Sequence, residues 1–291
     1  MPEPLFARTP ADDGLDDDPF RGSLLPRYLV LLLVAGLVLV PIAATVLGGF
    51  KDLGELRTNP FGLPSTWHVE NYWGILSGGR YWQMIFNSAV IASFTTALVL
   101  VAAGLAAFVF AHLRFAGDRY LLNYFLIGLL FPAATAILPL FIKVRDLGLL
   151  DTYAGVVLPA AAFSLGAAIL LFRNFFKQLP AELLDSALID GATYLQFFAR
   201  VVLPLSRPIL ATVGVISFVQ AWNNYLLPLI LLNSDAKYPW PLGIMVYQGE
   251  FSSDWQLVLA FVSLTIAPAI VVFLLAQRFI VAGLTAGAVK G

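Results

Sequence analysis

The side chains able to do covalent chemistry are few and scattered. Cysteine is absent and the two histidines, His68 and His112, lie far apart. Disulfides and thiolate metal sites are therefore excluded, and a zinc or histidine-based active site is not expected. No G-x-x-x-x-G-K-[ST] sequence is present, so no phosphate-cradling loop for ATP is expected either. Two other groups of residues stand out. One is a set of amides, a hydroxyl and an indole inside long apolar runs: Asn87 and Ser88 in FNSAVIA (86–92), and Gln220, Trp222, Asn223 and Asn224 in FVQAWNNYLLPLIL (218–231). Their chemistry is hydrogen bonding, either to a polar solute or between helices in a membrane. The other is AELLDSALIDGATYLQFFARVVLPL (181–205), which gathers Glu182, Asp185 and Asp190 around a glycine.

The elements that hold these groups follow from composition. Apolar residues make up 59% of the 291, charged residues 12%, and mean hydropathy is +0.84. Soluble domains carry about 25% charged residues, so most of this chain is solvated by lipid. The net charge of −1 gives no reason to expect nucleic acid. Charge-free runs cover 28–50, 81–113, 120–142, 152–172, 208–234 and 255–277. Each exceeds the roughly 20 residues that cross a bilayer as helix. An all-α polytopic membrane protein with six transmembrane helices is expected, with the YWQM start of the second run at the interface. No charged residue lies inside a run, which argues against an ion-coupled carrier.

Domain boundaries follow the same cuts. Residues 1–27, rich in Asp (Asp12, Asp13, Asp16, Asp17, Asp18), read as a disordered acidic tail. Residues 28–50 form a first, uncleaved span and 51–80 an external loop. Residues 81–283 form a core of five spans that includes the 178–208 loop, and 284–291 form a tail. With the N-terminus inside, the inner segments hold eleven Lys and Arg and the outer loops six. That bias places both termini and the 181–205 segment in the cytoplasm of a cell-membrane protein. The aromatic, Pro- and Gly-rich outer stretches GLPSTWHVENYWGIL and KYPWPLGIMVYQGEFSSDW fit contact with an external partner or anchoring at the headgroups equally well.

Within 181–205, Pro180 suits the first position of a helix, and Glu182 and Asp185 suit its N-terminal turn. Leu184, Ala187 and Leu188 share a face. Asp190-Gly191 reads as a turn. Thr193 with Gln196 makes a capping box for a second helix, with Leu195, Phe198 and Val202 on its apolar face and Pro204 at its end or kink. Surface-lying helices carry Lys and Arg on their polar face. The first helix here carries acids only, which favours a docking element for another protein.

The segment resembles the EAA loop of ABC importer permeases, whose pattern is E-A-A, three residues, G, nine residues, I-x-L-P. Asp185-Ser186-Ala187 takes the E-A-A place, and Gly191 falls at the glycine within Asp190-Gly191-Ala192. Val201 stands for Ile, and Leu203-Pro204 complete the match without a gap. Asp for Glu at 185 and Ser for Ala at 186 are departures of similar size. The A-W-N and N-S stretches and the ending QRFIVAGLTAGAVKG resemble the MalG-like subunit of maltose-type carbohydrate importers. The resemblance spans roughly residues 28 to 291. It implies the type I ABC importer permease fold and no catalysis by this chain. The implied partners are a second homologous permease, two ATPase subunits that bind ATP and Mg, and an extracytoplasmic sugar-binding protein. It also implies that the loop couples ATPase closure to alternation of the helices. Asn87, Ser88, Gln220, Asn223 and Asn224 would line a sugar path, with Trp222 stacking on a pyranose, unless they tie helices together. Asp185 would pair with a basic residue or cap a backbone end. Pro132, Pro139 and Pro159 would kink helices, for gating or for packing. The resemblance also lets the 233–254 loop reach the binding protein and the 284–291 tail reach the ATPases. A permease for a non-sugar solute such as glycerol phosphate is the alternative, and a secondary carrier a more distant one.

Overall fold

The computed structural model describes residues 24–249 and 253–286. The expected 1–27 tail lies outside them but for residues 24–27, and the 284–291 tail but for 284–286. The chain divides into two compact units, residues 1–44 and 45–291. The first holds most of α1 (Leu24–Gly48), a helix running through Pro41 with Leu29, Leu33 and Leu37 exposed.

The described part of the larger unit is mainly helical. After α2 (Leu53–Thr58) and α3 (Val69–Ser77) comes α4 (Gly79–His112), followed by α5 (Asp118–Ile127) and α6 (Ile137–Asp146). The long α7 (Tyr153–Phe176) leads to α8 (Glu182–Ile189), α9 (Tyr194–Phe197) and α10 (Leu203–Leu205). Then come α11 (Arg207–Trp222), α12 (Leu226–Leu231) and α13 (Trp255–Ala286). The centre is α4 against α7, with α11 laid on α4 and α13. Small residues make close packing possible: Ala103 and Ala107 of α4 and Ala161 and Ala168 of α7 are all buried in one cluster.

All six charge-free runs fall on helix, but they are not six uninterrupted rods. Among the described residues three are continuous and long enough to span, in α1, α4 and α7, and the 255–277 run lies without a break on α13. The 120–142 run is instead a bent pair, α5 and α6, whose axes differ by 97° across a break at 131–132. Pro132 removes a backbone donor, and Phe131 before it takes the extended conformation (φ −88°, ψ 115°) that a following proline imposes. Pro139 lies in the first turn of α6, where a missing N–H is harmless, and α7 runs through Pro159 without a break. The 208–234 run is also split, into α11 and α12, at Asn223–Tyr225. In the YWQM start Tyr81 and Met84 are buried while Trp82 is exposed, and the Tyr81 hydroxyl donates to Leu264 O of α13 at 3.1 Å.

Candidate functional site

The 181–205 segment forms two short helices joined by a closed turn. Pro180 stands ahead of α8 instead of at its first position: its carbonyl accepts Leu183 N–H (3.2 Å), and Ala181 O accepts Leu184 N–H (3.0 Å). At the other end Ala192 N–H reaches Ala187 O (2.9 Å) and Gly191 N–H reaches Leu188 O (3.0 Å), with Gly191 at φ +79°. This is the Schellman arrangement, which closes a helix on a left-handed glycine. A Cβ at Gly191 would meet no atom of a described residue beyond its chain neighbours within 4 Å. Backbone conformation, and no contact within the chain, therefore requires glycine there. Thr193 then caps α9 with the reciprocal Gln196 pair at 3.2 and 2.8 Å.

The faces differ from a simple helical projection. Leu184 and Ala187 pack inward as expected, but Leu188 is exposed and Ile189 is 85% exposed. Leu195 is exposed as well, and Phe197 is buried with Phe198 and Val202 in its place. The cause is a wide π turn, Phe198–Val202, in which Leu203 N–H bonds Phe198 O. A proline ring clashes with the carbonyl four residues before it, so a widened turn ahead of Pro204 relieves that clash. The chain then bends by 82° at the buried Ser206 into α11.

Asp185 is exposed, and its carboxylate makes no hydrogen bond or ion pair with a described residue, so it caps no backbone end in this chain. Ser186 Oγ donates to Glu182 O at 2.7 Å. Asp190 closes α8 as its C-cap residue, while Val201 and Leu203 lie against the core.

Beneath the loop is an aromatic pedestal that the sequence reading missed. Phe198 meets Phe108 of α4 (5.2 Å between ring centroids) and Phe176 of α7 (6.5 Å, rings near perpendicular). Phe176 stacks on Phe172 at 5.7 Å. The i, i+4 spacing of Phe172 and Phe176 was the signal that could have revealed it. Arg173, one residue along, donates Nε–H to Phe110 O at 3.2 Å. That carbonyl is among the last four of α4, which lack helical donors.

The amide-rich break of the fifth run divides its residues between two roles. Asn223 Nδ2 donates to Val219 O (3.0 Å) at the end of α11, and Asn224 Oδ1 accepts Leu227 N–H (3.1 Å) at the start of α12. The pair ends one helix and starts the next. Trp222 is buried and stacked on Phe218 (5.7 Å, 19°), so its face is not open to a ring ligand. Gln220 and Asn224, by contrast, line a cavity of about 190 Å³ with Thr95, Phe163 and Ser164.

Asn87 and Ser88 do not face that cavity. Asn87 donates to Ala236 O (2.9 Å) and Tyr238 O (3.0 Å) and accepts from the Tyr153 hydroxyl (2.8 Å), while Ser88 Oγ accepts Trp240 N–H (2.8 Å). Both are buried and spent on holding the 236–240 segment to α4 and α7. The helix-tying role is theirs. Asp151 completes this clasp, and no local sequence signal marked it. Its carboxylate accepts Asn233 N–H and Ser234 N–H (3.0 Å each), the Ser234 hydroxyl and Lys237 Nζ (3.0 Å). The Ser234 hydroxyl foremost, with the other donors, holds this carboxyl well below the usual carboxylate range.

Broken and unbroken apolar helices, three of them long and apolar enough to cross a membrane among the described residues, and one compact double-helix loop on an aromatic base describe a helical membrane protein. More than half of the chain, residues 100–285, matches the family described as "Binding-protein-dependent transport system inner membrane component". The trehalose transport system permease protein SugB of Mycobacterium tuberculosis is 36% identical, over 89% of this chain and 95% of its own. The sn-glycerol-3-phosphate transport system permease protein UgpE of Escherichia coli is 34% identical, over 88% and 94%. The crystal structure of a bacterial ABC transporter involved in import of the polysaccharide alginate contains a chain of the same fold. It has a TM-score of 0.77 and 24% identity, and covers 96% of this chain and all of that one. The chain belongs to the binding-protein-dependent inner-membrane permease family. It is the permease subunit of an ABC importer and not its ATPase.

Proposed function

We propose that this permease imports a sugar or oligosaccharide handed over by an extracytoplasmic binding protein. In this reading a second, homologous permease completes the pathway, and two ATPase subunits bind ATP and Mg. The 181–205 loop faces the cytoplasm together with both termini, as the Lys and Arg distribution suggests. It seats in the ATPase, and ATP-driven closure moves it. The 1–27 tail and the 284–291 tail belong to the same cytoplasmic side.

One observation carries the coupling role. The inner face of the loop is fused to α4 and α7 through Phe108, Phe176 and Phe198, while its outer tip presents Ile189 and Leu195 and the unpaired Asp185. A surface apolar tip on a rigid base suits a partner's cleft. The trehalose relative favours the sugar class; the glycerol-phosphate relative keeps that solute as the second reading.

The test is co-purification of the tagged chain from its host membranes. The Ile189→Asp and Gly191→Trp variants are expected to lose the P-loop ATPase that accompanies the wild type. Ile189→Asp is the cleaner of the two, because Gly191→Trp also strains a left-handed position. Absence of any ATPase with folded wild type would overturn the coupling reading.

A further inference from the structure

We infer that residues 61–82 form an interfacial anchor, in which Val69 and Trp73 of α3 and Trp82 of α4 sit among the lipid headgroups at one end of the bundle. The partner is a lipid surface, which neither the coupling role nor the sugar reading requires. By sequence the GLPSTWHVENYWGIL stretch fits an external partner and the headgroups equally well; three observations favour the headgroups.

First, large apolar side chains are held outward on a firm base. Val69 is 57% exposed, Trp73 69% and Trp82 57%, and Phe61, Leu63 and Trp67 are exposed as well. The backbone that carries them is tied down. Lys51, fully buried, donates from Nζ to Asn59 O (2.5 Å) and Gly62 O (2.7 Å). Asn71 Nδ2 donates to Gly49 O (2.9 Å) and Lys51 O (3.1 Å), and the Tyr72 hydroxyl to Val46 O (2.7 Å). Ile75, on the other face of α3, is buried in one cluster with Tyr81, Met84 and Phe261. An outward apolar face on a packed base calls for an apolar partner.

Second, this face continues the apolar surface of a span. Trp82, Phe86, Val90, Phe94 and Leu98 follow one another along α4 at steps of four, all exposed but the half-buried Val90. Such residues form one inclined row on a helix. From Trp82 to Leu105, also exposed, the helix rises about 35 Å, slightly more than the ~30 Å of hydrocarbon. Trp82 therefore emerges at the edge of the apolar layer, where amphipathic indoles settle. Its Nε1–H donates to Leu76 O at 2.9 Å. That carbonyl is among the last four of α3, which lack helical donors. The bond brings α3, with Trp73 and Val69, to the level of Trp82.

Third, charge is nearly absent. Besides His68, residues 61–82 contain one acid and one base. Glu70 Oε1 lies 2.6 Å from His68 Nδ1, and Arg80 pairs with Asp235 at 2.9 Å. Apolar burial, and not attraction to anionic lipid, must hold such a face to a membrane.

The test exploits the absence of cysteine. Single-cysteine variants Val69→Cys, Phe94→Cys and Arg57→Cys of the full chain carry a nitroxide in phosphatidylcholine vesicles. Collision with oxygen, which concentrates in lipid, is compared with collision with a water-soluble nickel chelate. The Val69 label should favour oxygen well above the exposed Arg57 label and below the Phe94 label. Adding Trp73→Glu should abolish most of that excess at Val69 while the Phe94 reading stays put. A Val69 label as open to nickel as the Arg57 label would overturn the anchor. Adding phosphatidylglycerol should leave the Val69 ratio unchanged; an oxygen preference that arises only with this anionic lipid would overturn the apolar basis. In the assembled importer, its other subunits freed of accessible cysteine, the ratio should not respond to the binding protein. Shielding of Val69 from both reagents when that protein is added would give the face to a protein partner and overturn the lipid assignment.

Discussion

The two ends of α7 are fastened by opposite means. At its C-terminal end Phe172 and Phe176 carry the 181–205 loop on stacked rings, with no ion pair in the contact. At its N-terminal end, about 36 Å away for a 24-residue helix, Asp151 joins the 233–240 segment through hydrogen bonds and one ion pair, and Tyr153 donates to Asn87 of α4, which itself holds that segment. Ring packing depends on shape and resists small displacements in every direction. Hydrogen bonds fix direction and partner, and can be exchanged with water. The first fastening suits an element that must transmit a push. The second suits a segment that must keep its position while the helices beneath it tilt.

The contrast can be broken from either side. The largest effect is expected from Phe198→Ala, which removes a buried ring and should cost about 3–5 kcal/mol. Thermal unfolding of the assembled complex would register it as a lowered midpoint, with coupling lost before binding-protein recognition. Asn87→Leu comes next. It strands two carbonyls and a tyrosine hydroxyl, at about 1–3 kcal/mol. Limited proteolysis within 233–240 should then accelerate while the 181–205 loop stays protected; equal loss at both ends would erase the distinction.

The smallest effect is expected at Asp151. Its folded pKa is depressed, so its contribution is complete above the ordinary carboxylate value of about 3.9 and is lost only as pH falls further, through the lower folded value. Protection of 233–240 should be flat through neutral pH and fail only in strong acid. Asp151→Asn tolerates the left-handed backbone at φ 55° but removes the charge and turns an amide donor toward groups that themselves donate, so protection of 233–240 should already fall modestly at neutral pH. The substitution should also remove the acid transition.

Much of the loop was legible because its determinants are local. A glycine at a left-handed position, a Thr–Gln capping box and a proline each act within a few residues, and the structure contains all three features. The inward face of α9 was not legible, because the π turn shifts the register and moves Leu195 out and Phe197 in. Hydropathy located the apolar runs but not their breaks. It scores side chains, and the breaks arise in the backbone, at Phe131-Pro132 and Asn223-Asn224. The roles of Asn87 and Asp151 depend on partners 66 to 151 residues away, which residue type alone cannot name.

Arg173 sets one more property of the molecule. Its guanidinium closes the C-terminal end of α4 while standing in the last turn of α7, so two negative helix ends meet at one permanent cation. A charge that cannot be neutralised resists entry into hydrocarbon, and the short tie to Phe110 leaves it little freedom to reach elsewhere. The loop that follows α7 therefore starts beside a charge that favours the water-facing edge of the bilayer.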